Sequence, residues 1–174
     1  MNLETERLIL RRWSIEDAPR LFELACDPII GERAGWPPHK SVEESEKVIR
    51  VAFDSETVWA VVQKSDGQII GCTGYMPAAS VDIPCGMNER IAGYWIGKPY
   101  WNQGYCTESL LRVIHHAFEE KHLNALVSSH FIDNPASGRV LTKCGFKLIP
   151  GLFYDAGLYT GKDRPMRVLR LENK

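Results

Sequence analysis

A chain of 174 residues with 44% hydrophobic and 25% charged side chains can bury one sizeable core without metal or disulfide staples, and reads as a single domain over residues 1–174. Its formal net charge of -1 gives no general pull toward nucleic acid or acidic membranes, and no apolar run approaches the roughly 18 residues of a membrane span. The five cysteines, Cys26, Cys72, Cys85, Cys106 and Cys144, are odd in number and lack a C-x-x-C pair or zinc-finger spacing, so they read as reduced thiols.

The N-terminal MNLETERLILRRW alternates weakly over Leu8 to Arg12, which predicts a strand. It has acidic residues where a signal peptide would have a basic region and an apolar block, so a cytoplasmic location is expected. Ser14 can cap a helix with an acidic first turn that runs to about Cys26. RAGWPPHK reads as a loop. Ser41, with Glu44 three residues on, makes a capping box, and Val42, Val48, Ile49 and Phe53 supply an apolar face. VWAVVQ and IIGCTGYM flank Ser65-Asp66-Gly67 and predict a hairpin. After a loop from Met76 to Asn88, RIAGYWIG reads as a strand.

Lys98-Pro99-Tyr100 leads into WNQGYCTESL, where a helix begins. Leu110, Leu111, Ile114, Ala117 and Phe118 recur at helical spacing, so Gly104 falls at or before the first turn. ALVSSHFI is a fourth long strand, and DNPASGRVLTKCGF a helix with Pro135 in its first turn and Gly145 as C-terminal cap. The last 28 residues fit two closing strands. The order is strand, two helices, three strands, helix, strand, helix, two strands, an α/β fold with a mixed central sheet of about seven strands and helices on both faces.

The first amides of a helix lack intrahelical partners and carry the positive end of its dipole, so an anion is favoured there, and a glycine lets it approach closely. Gly104 could equally serve only to turn the loop. The chain has no G-x-x-x-x-G-K and no G-x-G-x-x-G after a strand, which removes the Walker loop and the dinucleotide fold. Glu108 in the first turns suits the dipole but would repel a phosphate unless it points away. His115 and His116 stand without metal-ligand spacing and read as surface or edge packing, so no metal is expected.

Read together, GYWIGKPYWNQGYCTESL resembles the cofactor-binding segment of the GNAT superfamily of N-acetyltransferases. In that family a strand pairs with the pantetheine arm of acetyl-CoA and a loop Gln/Arg-x-x-Gly-x-Gly/Ala holds the pyrophosphate. Here the loop is Trp101-Asn102-Gln103-Gly104-Tyr105-Cys106, with Trp101 in place of the usual Gln/Arg and Cys106 at the last small-residue position. The Trp-x-x-Gly-Tyr-x-Thr-Glu form, through Thr107, is similar to the branch that acetylates N-terminal amines of ribosomal proteins. Asn134-Pro135-Ala136-Ser137 followed by Val140-Leu141-x-Lys143-x-Gly145-Phe146 resembles a second segment of that branch, and GWPPHKSVEESE its substrate-side loop and second helix.

The resemblance covers nearly the whole chain. It implies the GNAT fold and acetyl transfer to a primary amine in a ternary complex, the acceptor being a peptide N-terminus or a small amine such as a polyamine or aminoglycoside. An acyl-CoA sensor without turnover, or an interaction domain with a vacant slot, is the reading from another class. By resemblance, backbone N–H groups of Tyr94, Trp95 and Ile96 stabilise the oxyanion, Asn134 bonds the pantetheine amide or else serves as an ordinary helix entry, and Lys143, with Lys98 and Arg139 as further cations, reaches the adenosine phosphates or else is solvated. Dimers are common in the family, so a monomer or homodimer is expected.

Acetyl transfer to an amine needs a neutral nucleophile, donors for the oxyanion and a proton for the departing thiolate. The superfamily often supplies that proton from a tyrosine, but Leu141 stands at the aligned position and Ser137 becomes the candidate acid, or else a helix-entry hydroxyl. For the base, Ile91 stands where the branch often has glutamate. Glu89, two residues earlier on the same strand face, and His39 in the GWPPH loop are the candidates, each read otherwise as solvated, and water is a third. The acidic residues Glu43, Glu44, Glu46, Asp82 and Glu89 would matter for a cationic acceptor. Tyr94, Trp95, Trp101 and Tyr105 read as core or rim aromatics that can wall an acyl pocket.

Overall fold

The computed structural model describes residues 2–78, 83–155, 161 and 163–173. The hairpin is its centre, with β3 (Val58–Gln63) and β4 (Ile69–Met76) joined by a turn in which Gly67 takes φ 71°. Both strands are buried along most of their length, as expected where helices cover both faces. Trp59 and Val61 point into one core and Ala60 and Val62 into the other, the period-2 alternation of a strand. β1 (Leu3–Glu4) and β2 (Leu8–Arg11) extend the sheet on the β3 side, and β5 (Glu89–Ile96) on the β4 side. Beyond β5 lie β6 (Ala125–Phe131), β9 (Arg164–Glu172) and β7 (Lys147–Leu148), with β8 (Phe153–Asp155) also on β9.

Every pairing is antiparallel except β5 with β6. The sheet among the described residues therefore has nine strands where about seven are expected from sequence. The two additional ones, Leu3–Glu4 and Phe153–Asp155, are too short for alternation to reveal them. They form because each borders a longer strand already in place.

One face of the sheet carries α1 (Ala18–Ala25) and α3 (Val42–Val48), and Leu21 and Leu24 of α1 with Ile49 just after α3 pack with Ala60, Val62 and Cys72. A single 3-10 turn, Ile15–Asp17, precedes α1, and a π turn, Ile49–Phe53, extends α3. Ser41 caps α3 as the sequence predicts, its side chain accepting the Glu44 N–H at 3.2 Å, while the Glu44 carboxylate takes the N–H of Lys40 at 2.6 Å. Between them lies a helix that the loop reading of RAGWPPHK missed in part, α2 (Pro28–Ala34). Asp27 caps it by accepting the Ile29 N–H at 3.0 Å, and Gly35 closes it at φ 89°. Its seven residues carry too little apolar periodicity to announce it.

The other face carries α4 (Tyr105–His115), continued by the π turn His116–Glu120, and α5 (Pro135–Lys143). Leu110, Val113, Ala117 and Leu141 pack there against Trp59, Val61 and Ile70. The buried stripe of α4 runs through Val113, while Leu111 is 48% exposed, so the expected apolar set is rotated by part of a turn. His116 is buried where surface or edge packing is expected, and its Nδ1 lies 3.0 Å from the Tyr75 hydroxyl. All five cysteines are free thiols. No helix among the described residues is long and apolar enough to cross a membrane.

Candidate active site

β5 and β6 pair in parallel only at Glu89 with Ala125, Arg90 with Leu126 and Ile91 with Val127. Where the ladder stops, the Ser128 hydroxyl donates to the Ala92 carbonyl at 2.8 Å, and beyond this wedge the strands part. In a strand the N–H and C=O of one residue point to the same side, and successive residues alternate. The Asn88 carbonyl accepts from Asn124 on the β6 side, the Ala92 carbonyl from Ser128, and the Ile96 carbonyl from the Trp101 indole N–H at 2.6 Å. Even-numbered residues therefore face the opening. Tyr94, between Ala92 and Ile96, directs its N–H and C=O into it, whereas Trp95 turns its backbone toward Cys72 of β4.

A cleft of about 340 Å³ follows the opening between β5, α4, α5 and α2. All the cofactor candidates read from sequence line it except Gln103, namely Tyr94, Trp95, Ile96, Trp101, Asn102, Gly104, Tyr105, Cys106, Thr107, Asn134, Ser137 and Lys143. Gln103 instead turns outward, its carbonyl accepting from Arg7 Nη2 at 3.0 Å and its side-chain amide donating to the Pro99 carbonyl at 3.4 Å.

The entrance to α4 is shaped by left-handed backbone at Asn102, φ 61°, and Gly104, φ 83°. A Cβ on Gly104 would be strained by that φ, and its hydrogen keeps the first amides of the eleven-residue helix accessible from the cleft. Glu108 does not oppose an anion there. Its carboxylate is turned away to accept from Thr5 Oγ1, the Arg7 N–H and Arg7 Nε at 2.6, 3.0 and 2.7 Å. Burial pushes the Cys106 thiol up to about 12, so this small side chain adds no negative charge to the loop.

On the far wall, Asn134 caps α5 by accepting the Ser137 N–H at 3.4 Å, and its amide donates to the Arg33 carbonyl of α2 at 3.2 Å. The Arg33 guanidinium spans the cleft, 3.4 Å from Asn134 Oδ1 and 5.1 Å from the centroid of the Trp101 ring. Sequence reading missed Arg33, because nothing local to α2 marks it. It also missed the Tyr94 phenol, whose oxygen lies 2.9 Å from Ser137 Oγ. Leu141 is fully buried in the core. Arg139 and Lys143, one turn apart on α5, line the cleft, and Lys98 does not.

The two candidate bases are not brought to the cleft. Glu89 sits five residues up β5 from Tyr94, roughly 16 Å along the strand, and holds Arg170 in a bidentate pair at 2.6 and 2.7 Å. The Arg170 bonds hold its carboxyl below the usual carboxylate range. His39 lies behind a row of rings, its imidazole 5.4 Å from Trp36, which is 5.8 Å from the cleft-lining Trp95. Its Nδ1 is 2.8 Å from Ser45 Oγ, and burial lowers its pKa, so it is neutral at pH 7. Glu43, Glu44 and Glu46 lie on α3 outside the cleft lining, and Asp82 lies outside the described residues. Among the described residues no group of three or more His, Cys, Asp or Glu side chains is placed to hold a metal ion.

Residues 7–147 match the acetyltransferase (GNAT) domain. The chain belongs to the GNAT acetyltransferase family. It is 27% identical over 150 residues to the uncharacterized N-acetyltransferase YoaA of Bacillus subtilis, spanning 83% of this chain and 82% of YoaA. A Vibrio cholerae structure provisionally named a ribosomal-protein-serine acetyltransferase superposes with TM-score 0.79 at 24% identity, covering 99% of this chain and 97% of that one. Spermidine N-acetyltransferase from Vibrio cholerae, in complex with CoA and spermine, superposes with TM-score 0.78 at 15% identity over 97% of each chain. At these identities the structures speak for the GNAT fold. The protein is an acyltransferase of a family that uses acetyl-CoA, and its cleft has the three features such a ligand requires: an open strand edge, uncapped helix amides and flanking cations.

Proposed function

We propose that this GNAT enzyme transfers the acetyl group of acetyl-CoA to the α-amino group of a protein N-terminus by direct attack in a ternary complex. The observation that carries the reading is the convergence of the free Tyr94 backbone edge with the α4 entrance in one cleft. The amides of Tyr105, Cys106 and Thr107 suit a pyrophosphate. Arg139 and Lys143 suit the adenosine phosphates, and the Tyr94 N–H and C=O suit the pantetheine amides and the oxyanion. Acetyl-CoA supplies the activated acyl carbon, and Ser137 stands as the proton donor for the sulfur.

The acceptor reading rests on how little base the reaction would need. An α-amino group, with a pKa of roughly 8, is partly neutral at pH 7 and needs only water as base, whereas a lysine near 10.4 needs more help. The engaged Glu89 and the screened His39 agree with a reaction that asks little of a base. Assaying acetyl-CoA consumption with peptides of free N-terminus, the same peptides blocked, and spermidine tests the reading. Turnover with free N-termini alone is expected, and turnover with spermidine alone would refute it.

A further inference from the structure

A phenol approaches α5 from the strand instead of from the helix. Tyr94 on β5 places its hydroxyl oxygen 2.9 Å from Ser137 Oγ and 2.9 Å from the Ser137 main-chain oxygen. Both residues line the cleft. Only Leu141, fully buried, occupies the α5 position where the resemblance directs attention to a tyrosine.

Counting protons limits what this pair can do. The phenol has one proton and two acceptors within reach, and the serine has one proton. When the phenol donates to the main-chain oxygen, the serine proton satisfies the phenol oxygen and Ser137 offers the cleft nothing. When the phenol donates to Oγ, the serine proton is free to turn into the cleft, and its donor is polarised by the phenol behind it. Passing between the two arrangements rotates two hydroxyl groups and moves no heavy atom.

We propose that Tyr94 is the positioning and proton-supplying residue behind Ser137, so that the two hydroxyls act as one donor toward the departing sulfur. This rests on the acetyl transfer proposed above. Ser137 Oγ gives its proton to the sulfur as the C–S bond breaks and the C–N bond forms, and takes the Tyr94 proton in its place. The proton shed by the amine nitrogen restores the phenol through solvent, so the step closes with amide and free thiol. Burial holds the phenol above its ordinary value, with the Ser137 bond opposing, and keeps it protonated across the neutral range. The same burial disfavours a bare thiolate, so donor and acceptor shift together. Among the described residues the other titratable groups acting on Tyr94 are the Cys106 and Cys144 thiols, pushed up to about 12 and about 11, while Arg139 and Lys143 flank the cleft from α5 and Arg33 from α2.

Tyr94→Phe keeps the ring and removes the hydroxyl. It should bind acetyl-CoA within about twofold of wild type and lose roughly 10- to 100-fold in kcat, as should Ser137→Ala, the double variant being no worse than the poorer single one. A readout without turnover is the thiol of bound CoA, followed by its ultraviolet thiolate absorbance as pH rises. That thiolate should form at lower pH in wild type than in Tyr94→Phe. Wild-type kcat and an unchanged thiol titration in Tyr94→Phe, with only Tyr94→Leu impaired, would mean a packing role and overturn this proposal alone. Absence of acetyl-CoA binding in the wild type would overturn it together with the proposed function.

Discussion

Glu108 and Arg7 are locked across the start of the sheet, the carboxylate taking the Arg7 N–H at 3.0 Å and its Nε–H at 2.7 Å. Arg7 also lies over the Tyr105 ring, 4.4 Å from its centroid, and donates to the Gln103 carbonyl. One arginine thus aims the only acidic side chain of the first α4 turn away from the helix entrance and braces the loop that forms it. Arg7→Ala should weaken acetyl-CoA binding about 3- to 10-fold, with a loss that shrinks as salt is raised, while stability falls by about 1–3 kcal/mol because the largely covered Glu108 carboxylate loses its cation. Calorimetry at two ionic strengths checks it, and an unchanged Kd would contradict the role.

Gly104 stands at φ 83° at the head of α4. Gly104→Ala should cost roughly 1 kcal/mol in stability from the left-handed backbone alone. Gly104→Glu adds bulk and a negative charge beside the free amides, and should raise the Kd for acetyl-CoA at least about 10-fold with secondary structure retained. Wild-type affinity in a folded Gly104→Glu variant would remove the phosphate site from α4.

Glu89→Gln separates a structural from a chemical role. Removing the charge loosens the bidentate Arg170 pair and should destabilise the fold by about 1–3 kcal/mol in urea titrations, with kcat of the folded enzyme unchanged. The Glu89 carboxyl is held below its ordinary value, so its contribution is present above the unfolded pKa and is lost as pH falls through the folded one. A stable Glu89→Gln variant with a strongly reduced kcat and a lost acidic limb in its rate profile would instead identify Glu89 as the base.

His116 is the buried titratable group of the α4 core, placed between Tyr75, Trp59 and Glu120. Burial lowers its pKa, Lys121 and Arg112 act in the same direction and Glu120 opposes. The unfolded chain therefore binds the extra proton first. Stability is fully present above the unfolded value of about 6.5 and declines as pH falls from there through the folded pKa. His116→Gln should flatten the loss of stability between pH 7 and 5. A slope equal to wild type would show that His116 does not drive it.

What local chemistry encodes was legible. Ser41 with Glu44, Gly67 in its turn, Gly104 before α4 and Asn134 before α5 each do in the structure what their types and spacing predict. What depends on distant partners was not. Tyr94 meets Ser137 across 43 positions and Arg33 meets Asn134 across 101, and no window of sequence contains either pair. Glu89 was legible as a strand residue, but its alternation could not reveal that Arg170 waits on β9. His116 stands three residues after Val113 and seven after Ser109, on the buried stripe of α4, but with His115 beside it a polar side chain reads as surface or edge packing until Tyr75 on β4 is known to meet it.

The most direct test of the central claim is a calorimetric titration of the protein with acetyl-CoA beside adenosine diphosphate. One-site binding of acetyl-CoA at least about tenfold tighter than the diphosphate is predicted, because the Tyr94 edge should engage the pantetheine arm while the α4 entrance takes the phosphates. Equal affinities would confine recognition to the helix entrance, and no binding of either would contradict the assignment of this cleft to acetyl transfer.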